Sequence, residues 1–182
     1  DGYSLSGRHI EHAATAAGFE GELATLVGTG ATKTGGLQIV IGGSAPIAVD
    51  LQAVPTGAAD LDHARADIAS QMETDINNAL SAKGVLDAVT VEFLDGHTAG
   101  TTSVLRISCT GKEVIVRSAL LPATDLTAKL MLGMDQGGLE VGPYAAYRPA
   151  PSGVSFRATE AVSTTSSLFK FAVADQNSIE GI

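Results

Sequence analysis

The chain has 182 residues, enough for one domain with a small appendage. Apolar residues make up 45% of it, so a sizeable core can form, and this argues against global disorder. The net charge of −9 argues against nucleic acid and against an anionic membrane as partners, because both need a basic surface. No apolar run approaches the roughly 18 residues that span a bilayer, and the first residues lack the features of a signal peptide.

Residues 1–36 are predicted to form an N-terminal segment of one helix and a linker. Apolar residues recur at helical spacing from His9 to Ala17, and Gly18 follows as a C-terminal cap. His9 and His12 would lie on the exposed side of this helix. They lack a third ligand and the zinc-protease spacing, so no metal site is predicted. Residues 28–36 are typical of a connector, because the glycine that a phosphate-binding loop has before its lysine is absent.

Residues 37–150 are predicted to form the main domain. Alternating apolar residues on both sides of Gly42 and Gly43 predict a β-hairpin over 37–51. Residues 60–83 have the apolar spacing of a long helix, with Asp60 as N-cap and Gly84 as C-terminal cap. The exposed face of this helix is expected to carry four charged side chains, which are Arg65, Asp67, Glu73 and Asp75.

Three strands are predicted after this helix, beginning near Val89, Val104 and Lys112, and they are expected to form a meander. Cys109 alternates with the apolar residues of the middle strand and is interpreted as a core residue. A short second helix is predicted from Asp125 to Leu132, with Thr124 as its N-cap and Gly133 at its end. The fold class is therefore α+β, an antiparallel meandering sheet with the main helix packed across it.

The charged and polar motifs have simpler explanations than catalysis. Asp95, Gly96 and His97 are typical of a hairpin turn, and no serine lies in a nucleophile-elbow motif. The acidic residues of the main helix lack the spacing of a calcium loop and are expected to be solvated. We therefore predict no enzyme activity, and no catalytic, cofactor-binding or metal-binding residues.

The run Tyr147–Gly153 marks a boundary, because its two prolines exclude a continuing helix. Residues 151–182 are predicted to form a C-terminal hairpin or extension, with strands over 154–159 and 168–173. Amphipathic aromatic residues beside an extended segment suit a contact surface. The sequence therefore predicts an interface whose residues are Met134, Tyr144, Tyr147 and Pro149, although core packing of Met134 at a capped helix end is an alternative.

Six short motifs occur in a characteristic order between residues 37 and 152. They are Ile41-Gly42-Gly43, Ile76-Asn77-Asn78-Ala79-Leu80, Val89-Thr90-Val91, Leu105-Arg106-Ile107-Ser108, Leu132-Gly133-Met134 and the run Tyr144–Ser152. In this order they resemble an insertion domain of contractile phage tail sheath proteins. The hairpin–helix–hairpin part is also similar to the small sheet-plus-helix motif of flagellins and hook-associated proteins.

The resemblance to sheath proteins implies a structural subunit that lacks catalysis and cofactors. Sheath subunits polymerise around a tube and contract, and an inserted domain decorates the outside of the sheath. The implied partners are other copies of the chain and tail proteins such as tube and baseplate, and the implied location is the virion tail. The chain would be a sheath fragment or a compact relative. The alternative function is a binding module, either a surface adhesin or a flagellar-type filament component.

Overall fold

The computed structural model describes residues 1–27, 35–52 and 54–143. Eight strands and three α-helices lie in this part of the chain. In order they are β1 (Gly2–Leu5), β2 (Ile10–Glu11), α1 (Ala16–Val27), β3 (Gly35–Ile41), β4 (Ile47–Leu51), α2 (Leu61–Ala82), β5 (Val89–Asp95), β6 (Thr102–Cys109), β7 (Val114–Arg117), α3 (Thr127–Leu130) and β8 (Leu139–Val141). Two 3-10 turns, Pro122–Thr124 and Met134–Gln136, flank α3.

The strands form two antiparallel sheets, which confirms the α+β class. In the first sheet β6 pairs with β5 on one side and with β1 and β2 on the other, and β8 pairs with β1. In the second sheet β3 lies between β4 and β7. The predicted meander of β5, β6 and β7 is therefore wrong, since β7 leaves β6 and joins β3. A two-stranded hairpin is marginally stable alone, and β7 gives the apolar strand β3 a partner on its second edge.

The predicted hairpin of β3 and β4 is confirmed. Leu37 pairs with Val49 and Ile39 with Ile47. Gly42 and Gly43 have left-handed φ of 55° and 82° and are the central residues of a β-turn in which the Ser44 N–H donates to the Ile41 carbonyl at 3.0 Å. The Ser44 hydroxyl accepts a hydrogen bond from the Ile41 N–H at 3.1 Å and so closes the turn.

The predicted main helix is confirmed as α2. Asp60 is its N-cap, and its carboxylate accepts from the His63 N–H at 2.9 Å. The helix ends where Gly84 takes φ of 76° and the Val85 N–H donates to the Leu80 carbonyl at 3.0 Å, a Schellman arrangement. The predicted apolar face is buried in one continuous core with strands of both sheets, through Ala64, Ile68, Met72, Ile76 and Leu80.

The charged side of α2 differs from the prediction. Arg65 and Asp75 are only 7% and 8% exposed, so their assignment to a solvated face is wrong. The reason is the position of α2, which packs against β4 of one sheet and β5 of the other. A helix held between two sheets has both flanks covered, and periodicity alone describes only the central apolar stripe.

The helix predicted from His9 to Ala17 is also wrong. Ile10 belongs to β2, and α1 begins only at Ala16. Thr15 acts as its N-cap, because its hydroxyl accepts from the Gly18 N–H at 3.2 Å. Gly18 therefore lies in the first turn of α1, and the helix continues to Val27. Over only nine residues, apolar residues at helical spacing also occur where a short strand is followed by the start of a helix, so this pattern did not distinguish the two.

The short helix after β7 is smaller than predicted. Thr124 lies in the preceding 3-10 turn, and its hydroxyl donates to the Leu121 carbonyl. The helix ends at Leu130, and its C-cap is Met131, whose φ of 53° is left-handed, and not Gly133. Cys109 is 4% exposed in the core, as predicted. The connector was predicted over 28–36, but Gly35 and Gly36 belong to β3, and residues 28–34 lie outside the described residues. The C-terminal strands predicted over 154–159 and 168–173 also lie outside them.

Candidate functional site

Met134 is the predicted interface residue that the structure describes, and it is 70% exposed at the start of a 3-10 turn. Tyr144, Tyr147 and Pro149 lie outside the described ranges, so their part of the interface stays a prediction. Core packing was the alternative considered for Met134, and it applies instead to Leu132, which is fully buried.

Gly133 is the residue that turns Met134 outward. Its φ is 84°, and a Cβ at this position would lie 2.4 Å from the Val116 carbonyl oxygen of β7. The turn is then closed by a hydrogen bond of 2.8 Å from the Gly138 N–H to the Gly133 carbonyl. Met134 is therefore held on a fixed backbone.

Four other large apolar side chains of the described residues are also exposed, which are Leu86, Leu120, Leu121 and Leu139. Exposed leucines are common on soluble proteins, so exposure alone does not define a site.

A buried polar cluster joins β2, α2 and β6, and the sequence did not predict it. His12 and Ser103 are 7% and 0% exposed, and His12 Nε2 lies 2.8 Å from the Ser103 hydroxyl. Arg65 enters from α2, with one terminal nitrogen 3.4 Å from His12 Nε2 and the other 2.8 Å from the Asp95 carboxylate. Asp95, whose side chain is 62% exposed, and Ser103 face each other on the paired strands β5 and β6, and His12 and Arg65 are brought to them from distant parts of the sequence.

The hydrogen-bond roles in this cluster decide what it can do. His12 Nδ1 lies 2.9 Å from the Ala13 carbonyl, which can only accept, so Nδ1 carries the hydrogen. Nε2 is then the acceptor for the Ser103 hydroxyl. A catalytic triad places a carboxylate on Nδ1 and leaves its serine open to substrate. Here the carboxylate of Asp95 binds Arg65, and Ser103 is enclosed. The arrangement therefore serves packing, and it ties the start of β6 to α2.

Replacing Ser103 by alanine is expected to lower the free energy of unfolding by about 1–2 kcal/mol, because His12 Nε2 loses its short partner inside the protein. Ser108→Ala on the same strand is the control, since Ser108 is less buried and its side chain has no hydrogen bond to the described residues. Equilibrium urea unfolding of both variants measures the difference. Equal stabilities would contradict a structural role for the His12–Ser103 bond.

Three carboxylates of the helices bind backbone N–H groups of neighbouring segments. Glu20 of α1 accepts from Gly57 and Ala58 at 3.0 and 2.9 Å. Asp75 of α2 accepts from the Gln52 N–H, just after β4, at 2.6 Å. The third is Glu73, which accepts from the Val91 N–H of β5 at 3.0 Å. Each carboxylate supplies a hydrogen-bond partner to a backbone N–H, so Glu73 and Asp75 have a more specific role than the solvated face that was predicted. Asp62 and Asp67 are exposed, as predicted.

Asn77 makes the most complete contact of this kind. Its side-chain amide donates to the Val89 carbonyl at 3.0 Å, and its oxygen accepts from the Val89 N–H at 2.8 Å. The amide thus pairs with both backbone groups of one strand residue, as a neighbouring strand would. Asn77 belongs to the Ile-Asn motif on which the resemblance to sheath proteins and flagellins rests. This motif was the sequence feature that could have indicated a special role for Asn77, but it did not show what the side chain binds.

Two exposed groups near the start of α2 have shifted pKa values. The hydrogen bond from the His63 N–H, together with that from its ring, lowers the pKa of Asp60. The hydrogen bond to Asp60 raises the pKa of His63.

Burial raises the pKa of Cys109, which disfavours the thiolate and agrees with a core role.

Asp125 organises the turn before α3. Its carboxylate accepts from the Ala119 N–H at 2.9 Å and from the N–H and hydroxyl of Thr127. Burial alone would raise its pKa, but these hydrogen bonds together bring the pKa below the ordinary 3.8. A carboxyl with a lowered pKa in the folded state stabilises the protein above its ordinary pKa, and this stabilisation is lost as the pH falls through the folded value.

We therefore expect the stability difference between wild type and Asp125→Asn to depend on pH. The wild type should lose its advantage over the variant progressively as the pH falls from about 4 through the lower pKa of Asp125 in the folded protein, below which both side chains are neutral. Urea unfolding of the two proteins from neutral to acidic pH measures this difference. A constant difference over the whole range would show that the carboxylate is not stabilised by these bonds.

The described residues include no group of three or more His, Cys, Asp or Glu side chains placed to hold a metal ion. None of the helices in the described ranges is long and apolar enough to cross a membrane. Comparisons of the chain with known protein families, with curated protein sequences and with solved structures gave no match.

Proposed function

We propose that this chain is a structural, non-enzymatic subunit or fragment of a contractile phage tail or a related injection machine, in the position of a peripheral sheath domain. The observation that supports this best is the use of four buried or half-buried polar side chains. Glu20, Glu73, Asp75 and Asn77 all bind backbone groups of other elements. Side chains engaged in this way hold segments together and are not free to act on a substrate.

The position of α2 suits a module that must keep its shape. Asp75 on one flank holds the end of β4, and Glu73 and Asn77 on the other flank hold β5. The apolar residues between these flanks are buried in the core that includes both sheets. A peripheral domain of a contracting sheath is carried through large subunit movements, and it benefits from sheets that cannot slide relative to the helix. Its partners would be other copies of the subunit and tail proteins of the tube and baseplate.

Immunogold electron microscopy tests this function directly. Antibodies raised against the purified chain are applied to particles released from the source cells. We expect gold along the outside of the tail, in extended and in contracted particles. Pre-incubation of the antibodies with the purified chain should remove the label, and this is the specificity control.

The same grids distinguish the alternative. The helix-on-sheet motif around Asn77 and Val89 is the part that is similar to flagellins, and it favours a filament component or adhesin as the second candidate. Label on cell-surface filaments or on the cell envelope, with bare tails, would support that candidate and overturn the tail proposal.

A further inference from the structure

A groove lies between α2 and the outer edge of β5. The two elements run side by side, and near the end of α2 they are joined by the bonds from Asn77 to Val89 and from Glu73 to Val91. Towards the start of α2 the helix presents small side chains instead, and the groove has a volume of about 590 Å³. Its helical wall includes Ala66, Ala69 and Ser70.

The floor of the groove is an open strand edge. In an antiparallel pair, alternate residues exchange backbone hydrogen bonds with the partner strand, and the residues between them point outward. The Val91 N–H binds Glu73 and therefore points away from β6. The residues that exchange hydrogen bonds with β6 are thus Thr90, Glu92 and Leu94. The N–H and carbonyl of Phe93 therefore point away from β6 and into the groove. Neither group forms a hydrogen bond outside the strand ladder within the described ranges. A strand edge of this kind can accept a further extended segment.

The charge of the groove selects the kind of segment. Four carboxylates line it, which are Asp62, Glu73, Glu92 and Asp95. Two guanidinium groups balance part of this charge, since Arg65 binds Asp95 and Arg106 binds Glu92. The groove therefore keeps a net negative charge. The side chain of Asp62 is 93% exposed and lies 3.7 Å from Arg65, so it remains largely available. An added segment with basic side chains would meet opposite charge here, whereas an acidic one would be repelled.

We propose that this groove binds an extended, basic segment of a partner protein, which adds to β5 as a new edge strand. Main-chain hydrogen bonds to Phe93 supply the affinity, and the side chains on either side supply the specificity. The stretch from Val91 to Asp95 is about 13 Å long at roughly 3.3 Å per residue, so four or five residues of the partner fit. The inference concerns the described fold and does not depend on whether the chain belongs to a tail.

The alternation of a strand gives the sequence pattern of the partner. A residue opposite Phe93 has its side chain on the Phe93 side of the sheet, where Phe93 packs against the core beside the edge of Phe19. The small residues of α2 leave room there for a small apolar side chain. The residues before and after it lie on the side of Glu92, where a lysine or arginine would share the Glu92 carboxylate with Arg106, which already binds it. The expected pattern is therefore basic and small apolar in alternation.

The probe for this proposal is a seven-residue peptide in which lysine and valine alternate, acetylated and amidated at its ends. Titration of the isotope-labelled full chain is followed by NMR. We expect shifts of the amide signals of β5 and of the first half of α2, and slower hydrogen exchange of the Phe93 amide. A peptide with glutamate in place of lysine should bind at least about tenfold more weakly, because each of its charges is repelled.

Two changes locate the binding mode. N-methylation of the central valine removes one main-chain donor and should weaken binding about threefold to tenfold. Ser70→Phe fills the groove from an exposed position of α2 and should weaken binding at least about tenfold. Asn78→Phe is the matched control, because Asn78 is also exposed on α2 but does not line the groove, and it should leave the affinity unchanged.

Four outcomes would overturn the proposal. They are no shift of the β5 amides at about millimolar peptide, equal binding of the lysine and glutamate peptides, unchanged affinity of Ser70→Phe, and protection of the Phe93 amide in the free protein. Protection that increases with protein concentration would identify a second copy as the occupant. Protection independent of concentration would mean that the chain itself already covers the edge.

Discussion

Replacing Ile76 by alanine is expected to lower the free energy of unfolding by about 2–5 kcal/mol. Ile76 is 0% exposed and lies at the centre of the apolar face of α2, between Met72 and Leu80. The substitution removes three carbon atoms from a site where helix and sheets meet, and packed neighbours on several sides cannot all move in to fill the cavity. Equilibrium urea unfolding followed by circular dichroism measures the effect.

Leu86→Ala is the control for this experiment. It also shortens an aliphatic side chain, but Leu86 is 96% exposed, so its stability should change by no more than about 0.5 kcal/mol. A melting temperature of Ile76→Ala within about one degree of wild type would contradict the packing of α2 described here. Equal destabilisation by both substitutions would contradict it as well.

Asn77→Ala is expected to lower the free energy of unfolding by about 1–3 kcal/mol. The substitution removes both hydrogen bonds to Val89 and leaves the N–H and carbonyl of an edge strand without their partner. The higher helix propensity of alanine offsets this by only a few tenths of a kcal/mol. Hydrogen exchange adds a local measurement, since the Val89 amide should exchange faster in the variant than in wild type.

The neighbouring Asn78 provides a closely matched control. It has the same side chain one position along the same helix, but it is exposed. Asn78→Ala should therefore be neutral or slightly stabilising, because only helix propensity changes. Asn77→Asp separates the two bonds of Asn77, since a carboxylate still accepts from the Val89 N–H but cannot donate to its carbonyl. Full stability of Asn77→Asp would show that the donor bond contributes nothing.

The successful predictions concern structure that short sequence signals encode. The β3–β4 hairpin depends on Gly42 and Gly43, whose left-handed φ values fix the β-turn from Ile41 to Ser44. The boundaries of α2 depend on Asp60 and Gly84, which act on groups within a few residues of themselves. The apolar alternation of β6 placed Cys109 in the core for the same reason. Such signals need no knowledge of the rest of the fold.

The wrong predictions concern pairing between distant segments. The sequence of β7 does not show whether it pairs with β6 or with β3, because both partners offer an apolar strand of suitable length. The N-terminal histidines were assigned to a helix, whereas Ile10 pairs with Ser103 and carries His12 into a buried cluster. The candidate groove was missed because the open edge at Phe93 exists only after β6 has taken the other side of β5.

The sequence by itself therefore determined the fold class, the hairpin, the limits of the main helix and the apolar face that this helix buries. These follow from turn conformations, capping and periodicity, which act over a few residues. Only the tertiary structure decided that the strands divide into two sheets, that Arg65 and Asp75 are buried, and that Asn77 binds the edge of β5. These features depend on which of several similar strands pair, and that choice is made by the packing of the whole domain.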